Sequence, residues 1–298
     1  MTHLEDLIKL GFLVEEDSKE AIERLNDANF QKVVKHLKEE KPFMVSKDLL
    51  KNILSREIEI LKQYEPIDSF TVQDFVEILN KRYSFLQNIL LSKVELKNIV
   101  SINKISNGNI SVIGLVKDIL IKNSKKLLVL EDPSGYLDCL VDAALIEKVV
   151  LDDVIAVTGR MSGKVLYAEK VFFPSVPLRP VNYSESGTRV AFTSKKVNAD
   201  YIVSEKKIDD RIKRKTYNIK TPCFVKINDV NILIALSFEP MELLNKRYIN
   251  INKIDFLIDP VPDIIFTDKA VNMSYKGISI VSKNNLIELK TREIQKIT

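Results

Sequence analysis

The sequence predicts an α+β chain in three parts: a small helical domain, a closed β-barrel and a second β-rich domain. Three observations carry this. Apolar residues recur at helical spacing up to about residue 90, as in Phe30, Val33, Val34 and Leu37. Five short β-rich runs crowd residues 110–177 and are punctuated by Gly and Pro. After residue 187 the apolar runs again have strand length, as in Asn231-Ile-Leu-Ile-Ala-Leu236 and Ile278-Ser-Ile-Val281.

The helical part comes first. Thr2-His-Leu-Glu5 is a capping-box pattern. The helix it opens carries Leu4, Leu7 and Ile8 on one face and can end at Gly11. A second helix starts near Asp17, with Ala21, Ile22 and Leu25. A third, with Phe30 to Leu37, stops before Pro42. Ser46 caps a fourth carrying Leu49, Leu50, Ile53 and Leu54. Narrow apolar stripes on short helices must bury one another, so residues 1–62 form a helical domain. Residues 63–100 then read as a linker around Glu65-Pro66 and a connector helix. Thr71-Val-Gln-Asp74 opens that helix as a second capping box. Phe75, Ile78, Leu79, Tyr83, Leu86, Ile89 and Leu90 form its apolar face, and Glu77, Lys81 and Arg82 read as a solvated face.

Composition limits the chemistry. With 298 residues, 45% of them hydrophobic and 29% charged, the chain can build two or three ordinary globular cores. No apolar run approaches a membrane span and the acidic N-terminus is not a signal peptide, so the expectation is a cytoplasmic protein without a membrane partner. Cys139 and Cys223 are the only cysteines and fall in different parts, which supports neither a disulfide framework nor a thiolate zinc site. The only histidines are His3 and His36, and His36, between Lys35 and Lys38, reads as solvated or half-buried. Beyond residue 36 no His-rich metal site and no Ser/His or Cys/His nucleophile can exist. No cofactor, metal or small-molecule substrate is expected. A net charge of +4 is compatible with nucleic acid but too mild to argue for it.

Residues 101–180 hold the barrel. Gly114 within an apolar strand marks a bulge or tight bend, and Asp132-Pro-Ser-Gly135 marks a hairpin turn. Ala143 to Val150 reads as a short helix between the third and fourth strands. Three strands, a helix and two strands is the order of an OB-fold. Such barrels bind single strands with a basic groove and stacking aromatics, for which Lys117, Lys122, Lys125, Lys126, Arg160, Lys164, Tyr136 and Tyr167 are the candidates. Aromatics are sparse here and Trp is absent, which favours a docking platform instead.

Several segments carry a family resemblance. Asn80-Lys-Arg-Tyr83 leads into Gly114-Leu-Val-Lys-Asp-Ile119, then Glu131-Asp-Pro-Ser-Gly135, Asp152-Asp-Val-Ile-Ala-Val-Thr-Gly159 and Pro174-Ser-Val-Pro177. In order and spacing these resemble the small subunit of archaeal D-family DNA polymerase, a relative of the B-subunits of eukaryotic replicative polymerases. The resemblance covers residues 71 to 177 and resumes in the C-terminal part. It implies an OB-fold followed by a calcineurin-like phosphoesterase domain, a 3′–5′ exonuclease that uses two metal ions roughly 3.5–4 Å apart.

The metal motifs of that family are not kept. Its A-F-x-S-D-x-H aligns with Ala191-Phe-Thr-Ser-Lys-Lys-Val197, putting Lys195 and Val197 at ligand positions. A Lys ammonium repels the cation a carboxylate would bind. Its V-P-D-I-x-x-T is intact as Val261-Pro-Asp-Ile-Ile-Phe-Thr267, but the following G-H-V-H is Asp268-Lys269-Ala270-Val271. Ala235 stands near another ligand-His position, and Tyr248 replaces His in Leu243-Leu-Asn-Lys-Arg-Tyr248. The middle motifs have no counterpart, and a charged bridge, 204–215, lies where they belong. A new metal site from Asp255, Asp259, Asp263 and Asp268 is not expected, because these read as strand-end and turn positions. Residues 187–298 therefore read as a degenerate, shortened phosphoesterase-like domain. The resulting expectation is a non-catalytic accessory subunit in archaeal DNA replication. Its partner would be the large catalytic subunit of a DNA polymerase, with DNA a second candidate partner. The rival reading is a free-standing single-stranded DNA-binding protein.

Overall fold

The computed structural model describes residues 2–40, 42–55, 58–67, 69, 71–122, 125–195, 197–205 and 215–297. The N-terminal part contains α1 (His3–Lys9), α2 (Lys19–Glu23), α3 (Asp27–Glu40) and α4 (Lys47–Ser55), with β1 (Leu13–Val14) and β2 (Met44–Val45) paired in parallel. The Thr2 hydroxyl accepts from Glu5 N–H and the Glu5 carboxylate accepts from Thr2 N–H, closing the capping box. At the other end of α1, Gly11 takes φ +87°, and Gly11 and Phe12 N–H bond Ile8 and Leu7 carbonyls, a Schellman stop. Ser46 Oγ caps α4 through Leu49 N–H at 3.1 Å. Leu7, Ile22, Phe30, Val33, Val34, Leu37, Leu50 and Ile53 form one buried cluster. Ile8 departs from the predicted stripe and is exposed, while Leu7 is buried and Leu4 packs partly buried against the cluster. His36 is half-buried.

The next segment differs more. β3 (Glu59–Gln63) covers residues read from the sequence as the end of the helical domain and the start of a linker. It pairs antiparallel with a strand far along the chain, Cys223 opposite Gln63 and Lys226 opposite Glu59. Five residues with mixed apolar spacing give no local signal for a partner that distant. α5 (Val72–Leu91) follows, with the predicted Thr71–Asp74 capping box in place.

The barrel strands are β4 (Gly108–Lys122), β5 (Lys125–Asp132), β6 (Gly135–Asp142), β7 (Val154–Ser162) and β8 (Val165–Phe172), closed in the order β4-β5-β6-β8-β7. Alternate side chains point inward: Ile110, Val112 and Val116 from β4, Leu128 and Leu130 from β5, Leu137, Cys139 and Val141 from β6. The predicted helix after β6 shrinks to one 3₁₀ turn, Ala143–Ile146. The bulge lies between Val116 and Asp118 rather than at Gly114. Gly114 is instead a close approach, where a Cβ would stand 2.9 Å from Leu130 Cβ. In the β5–β6 turn the Asp132 carboxylate accepts from Ser134 N–H, Ser134 hydroxyl, Gly135 N–H and Ile102 N–H.

The C-terminal part holds β9 (Arg189–Phe192), β10 (Tyr201–Ser204), β11 (Lys215–Asn218), β12 (Cys223–Ile227), β13 (Val230–Ile234), α6 (Pro240–Lys246), β14 (Tyr248–Ile251), β15 (Ile254–Leu257), β16 (Ile264–Thr267), β17 (Met273–Tyr275), β18 (Ile278–Ser282), β19 (Asn285–Glu288) and β20 (Ile294–Lys296). One sheet runs β11-β10-β9-β19-β20 and the other β17-β18-β16-β13-β12-β3. Val190, Phe192, Val203 and Ile287 of the first meet Val225, Ile232, Ile234, Phe266 and Val281 of the second in a shared core. Each such side chain contributes about 1.5–3 kcal/mol on burial. Of the predicted charged bridge, residues 206–214 lie outside the described residues.

Candidate functional site

A buried polar cluster sits where α5, the barrel and the C-terminal part meet. Arg82 of α5 is 2% exposed, not on the solvated face predicted for it. Its Nε and Nη2 donate to Asp255 Oδ2 and Oδ1 at 2.6 and 2.5 Å, and its Nη1 donates to the Asp152 carbonyl at 2.9 Å. The Tyr248 ring lies 4.3 Å from the guanidinium carbon. The Tyr248 hydroxyl donates to Asp153 Oδ1 at 3.0 Å, and Lys246 Nζ stands 3.2 Å from Asp153 Oδ2. Val150 N–H and Asn250 complete the shells of Asp153 and Asp255. Hydrophobic contacts surround this cluster: Tyr83, Leu86 and Leu90 pack on Ile113, Val154, Ala156 and Tyr248.

The electrostatics favour a fixed joint over proton chemistry. Burial opposes the charge on Arg82, but hydrogen bonds and charge from Asp255 outweigh it and raise its pKa. Burial, then Asp153, pushes the Tyr248 phenol up. Burial also raises the Asp153 carboxyl, against the pull of Val150 N–H and Lys246. A guanidinium and a phenol locked in their ordinary forms hold parts together and do not shuttle protons at neutral pH. One sequence signal pointed to Arg82: it falls between Leu79 and Leu86 on the apolar stripe of α5. Asp255 had no such signal and lies within β15, not at a strand end or turn.

Of the predicted nucleic-acid residues the structure brings Arg160, Lys164 and Tyr167 together, and Lys117 and Tyr136 pair elsewhere. Arg160 and Tyr167 are cross-strand partners on the outer barrel surface, with Lys164 at the adjoining turn, and all three are exposed. By register Tyr167 continues to Leu140, Leu127 and Leu120, giving an outward apolar row. Asp138 and Asp142 share the outward side of β6 with Leu140 and dilute positive charge there. Lys126 is half-buried and pairs with the inward-facing Val141, on the opposite side of β5 from Leu127, and the side chains of Lys122 and Lys125 lie outside the described residues. Lys117 and Tyr136 form a separate pair: the Lys117 ammonium covers the Tyr136 ring at 3.6 Å and sits 3.7 Å from Glu131. That covered ring face is closed to a base.

The positions aligned with the family's metal site have other occupations. Lys195 is exposed beyond β9, and Val197 packs with Ala199, Leu286 and Ile297. Ala235 is buried and its N–H bonds the Phe266 carbonyl. Asp268 accepts from Ser237 N–H, Val271 packs in the core beside α6, and Tyr248 serves the joint. Asp263 is held by Arg179 at 2.6 Å. Two turns missed in the sequence are alike: in Phe192-Thr-Ser-Lys195 and Phe266-Thr-Asp-Lys269 the Lys N–H bonds the Thr hydroxyl two residues back. Among the described residues no three His, Cys, Asp or Glu side chains could hold a metal ion. Burial pushes the Cys223 thiol up to about 12 and raises that of Cys139 further, so neither is a ready nucleophile.

No family model matches the chain. Two curated archaeal proteins do, both described as DNA polymerase II small subunit. That of Archaeoglobus fulgidus is 34% identical over 110 residues, 36% of this chain and 22% of its own. That of Methanothermobacter thermautotrophicus is 33% identical over 132 residues, 41% of this chain and 27% of its own. Over those stretches this chain is similar to archaeal DNA polymerase II small subunits. The matched stretch spans about a quarter of those relatives' length. Among solved structures, an OBody bound to hen egg-white lysozyme gives a TM-score of 0.24 at 11% identity, over 27% of this chain and 96% of that one. Asparaginyl-tRNA synthetase from Pyrococcus horikoshii gives 0.21 at 16% identity, over 22% and 19%. At TM-scores this low these likenesses decide nothing about fold or function. No helix among the described residues is long and apolar enough to cross a membrane.

Proposed function

We propose that this chain is a non-catalytic accessory subunit of an archaeal replicative DNA polymerase. In this reading the barrel is an OB-fold, the C-terminal part is a shortened phosphoesterase-like sandwich, and the large catalytic subunit is the partner. The observation that carries it is the kinship with two polymerase small subunits. The Arg82–Asp255 and Tyr248–Asp153 joint supports a scaffolding role, because it fixes barrel and sandwich as one platform. A lysine in place of a carboxylate after β9, Lys195, and one in place of a histidine after β16, Lys269, support the absence of catalysis, since an ammonium repels a divalent cation. The test is affinity isolation of the full protein from its native cell. Recovery of a polymerase large chain, and faster primer extension by that chain with this protein added, is the expected result. Manganese-dependent cleavage of an oligonucleotide by the purified protein would overturn the non-catalytic part.

The rival single-strand-binding reading rests on exposed Arg160 and Tyr167 side by side. It requires tight oligonucleotide binding whose log affinity falls steeply with log salt.

A further inference from the structure

A second charged cluster gathers where the segment leaving the barrel meets the end of α6, and its hydrogen bonds are not those of the joint. Lys93, just past α5, reaches Ser175 Oγ at 3.4 Å. Lys276, in the β17–β18 turn, donates to the neighbouring Val176 carbonyl at 2.9 Å. Two adjacent residues of the segment leaving the barrel thus carry two ammonium groups. Val176 N–H bonds the Leu244 carbonyl of α6, which brings in Arg247, the left-handed residue ending that helix. Arg247 is 4% exposed, and its Nε and Nη2 share one acceptor, the Ile258 carbonyl, at 3.0 and 2.7 Å.

Among the described residues, none of these three cations has a carboxylate within ion-pair distance. Glu95 and Asp259 act on Lys93 and Arg247 only at longer range. Burial lowers the Lys93 pKa, Glu95 opposes it, and Lys276 and Arg247 lower it again, so the cations feel one another. Buried or half-buried positive charge gathered without a counterion is costly in the isolated chain and is relieved by an anion. Large apolar side chains stand beside it in the chain: Val94 next to Lys93 and Leu178 two residues after Val176, at 88% and 82% exposure.

We infer that this junction is the docking site for an acidic, apolar peptide segment of a partner polypeptide. Carboxylates of that segment meet the Lys93 and Lys276 ammonium groups in the field of Arg247, and its apolar side chains cover Val94 and Leu178. A nucleic-acid strand fits less well. The cations are recessed rather than strung along a track, and the exposed neighbours are aliphatic where a strand needs stacking rings.

The inference rests on the accessory-subunit reading but is tested apart from it. The probe is a short labelled peptide of alternating Glu and Leu, with a Lys/Leu peptide and oligo(dT) as comparisons, titrated into the full protein and followed by anisotropy. The expected result is binding of the Glu/Leu peptide alone, weakened about tenfold in Lys93→Gln/Lys276→Gln, as loss of desolvated charge pairs entails. Leu178→Asp, which sets an acid at an exposed position, should weaken it too without moving the melting temperature. Equal binding of both peptides, no change in either variant, or loss of oligo(dT) binding in their place overturns the inference. Co-isolation of the polymerase large chain by the unaltered protein tests the accessory reading separately. If both variants retain that chain undiminished, the docking site alone fails.

Discussion

Removing Arg82 should undo the joint between barrel and sandwich. Arg82→Met keeps the aliphatic length but leaves Asp255, 5% exposed at its side chain, with the Asn250 amide as a side-chain donor and no guanidinium. It also strips the Asp152 carbonyl of its guanidinium donor and the Tyr248 ring of its cation. Breaking a buried pair from one side costs about 3–5 kcal/mol, because an uncompensated charge stays behind. At about 2–4 °C per kcal/mol for a unit of this size, the melting temperature should fall by roughly 6–20 °C. The assay is thermal and urea unfolding of wild type, Arg82→Met, Asp255→Leu and the double variant. Removing both charges should recover much of the loss, since well-packed apolar replacements of buried pairs are often near neutral. A cost for Arg82→Met below about 1 kcal/mol, the range of exposed pairs, or strict additivity in the cycle, would refute the buried joint.

Tyr248→Phe removes one hydrogen bond from buried Asp153 and should cost about 1–2 kcal/mol by urea unfolding. The Tyr83 phenol is pushed up to about 12, first by burial and then by Asp132. Its folded pKa is above the unfolded value near 10, so its stabilisation is complete below about pH 10 and lost as pH rises towards about 12. Tyr83→Phe should therefore lose less stability across that window than wild type, measured by alkaline melts. Gly159→Ala puts a Cβ 2.1 Å from the Tyr167 carbonyl oxygen and should cost about 1–3 kcal/mol or more, checked by melting temperature. Truncation before Glu59 should leave a monodisperse protein. Truncation after Gln63 should bare the β12 edge and cause aggregation, read by light scattering.

The barrel and the capped helices were legible because their signals are local. Thr71 and Asp74 are three residues apart, and the inward alternation of Leu137, Cys139 and Val141 is complete within one strand. The joint was not, because Arg82 finds Asp255 across 173 positions and Lys62 reaches the Leu257 carbonyl across 195. Charge near a helix surface defaults to a solvated reading, and only the fold supplies the carboxylate that buries it. The outward row from Leu120 to Tyr167 was likewise hidden, since four strands must be laid in register before those side chains line up. The Lys93, Lys276 and Arg247 cluster is built from three parts of the chain, and no spacing in the sequence announces it.

β3 also sets an order on synthesis. It is made before α5 and the barrel, yet among the described residues its ladder is to β12, and Lys220 closes on Gln63 over 157 positions. While the barrel emerges from the ribosome, β3 has no edge to join. The helical part and the barrel can each complete their cores during translation, whereas the sandwich must wait and then recruit a strand already long exposed. Long-range closure of this kind is slow. The vulnerable interval in the life of this chain therefore falls late, between completion of the barrel and capture of β3, when Ile60 and Leu61 are open to any other strand edge nearby.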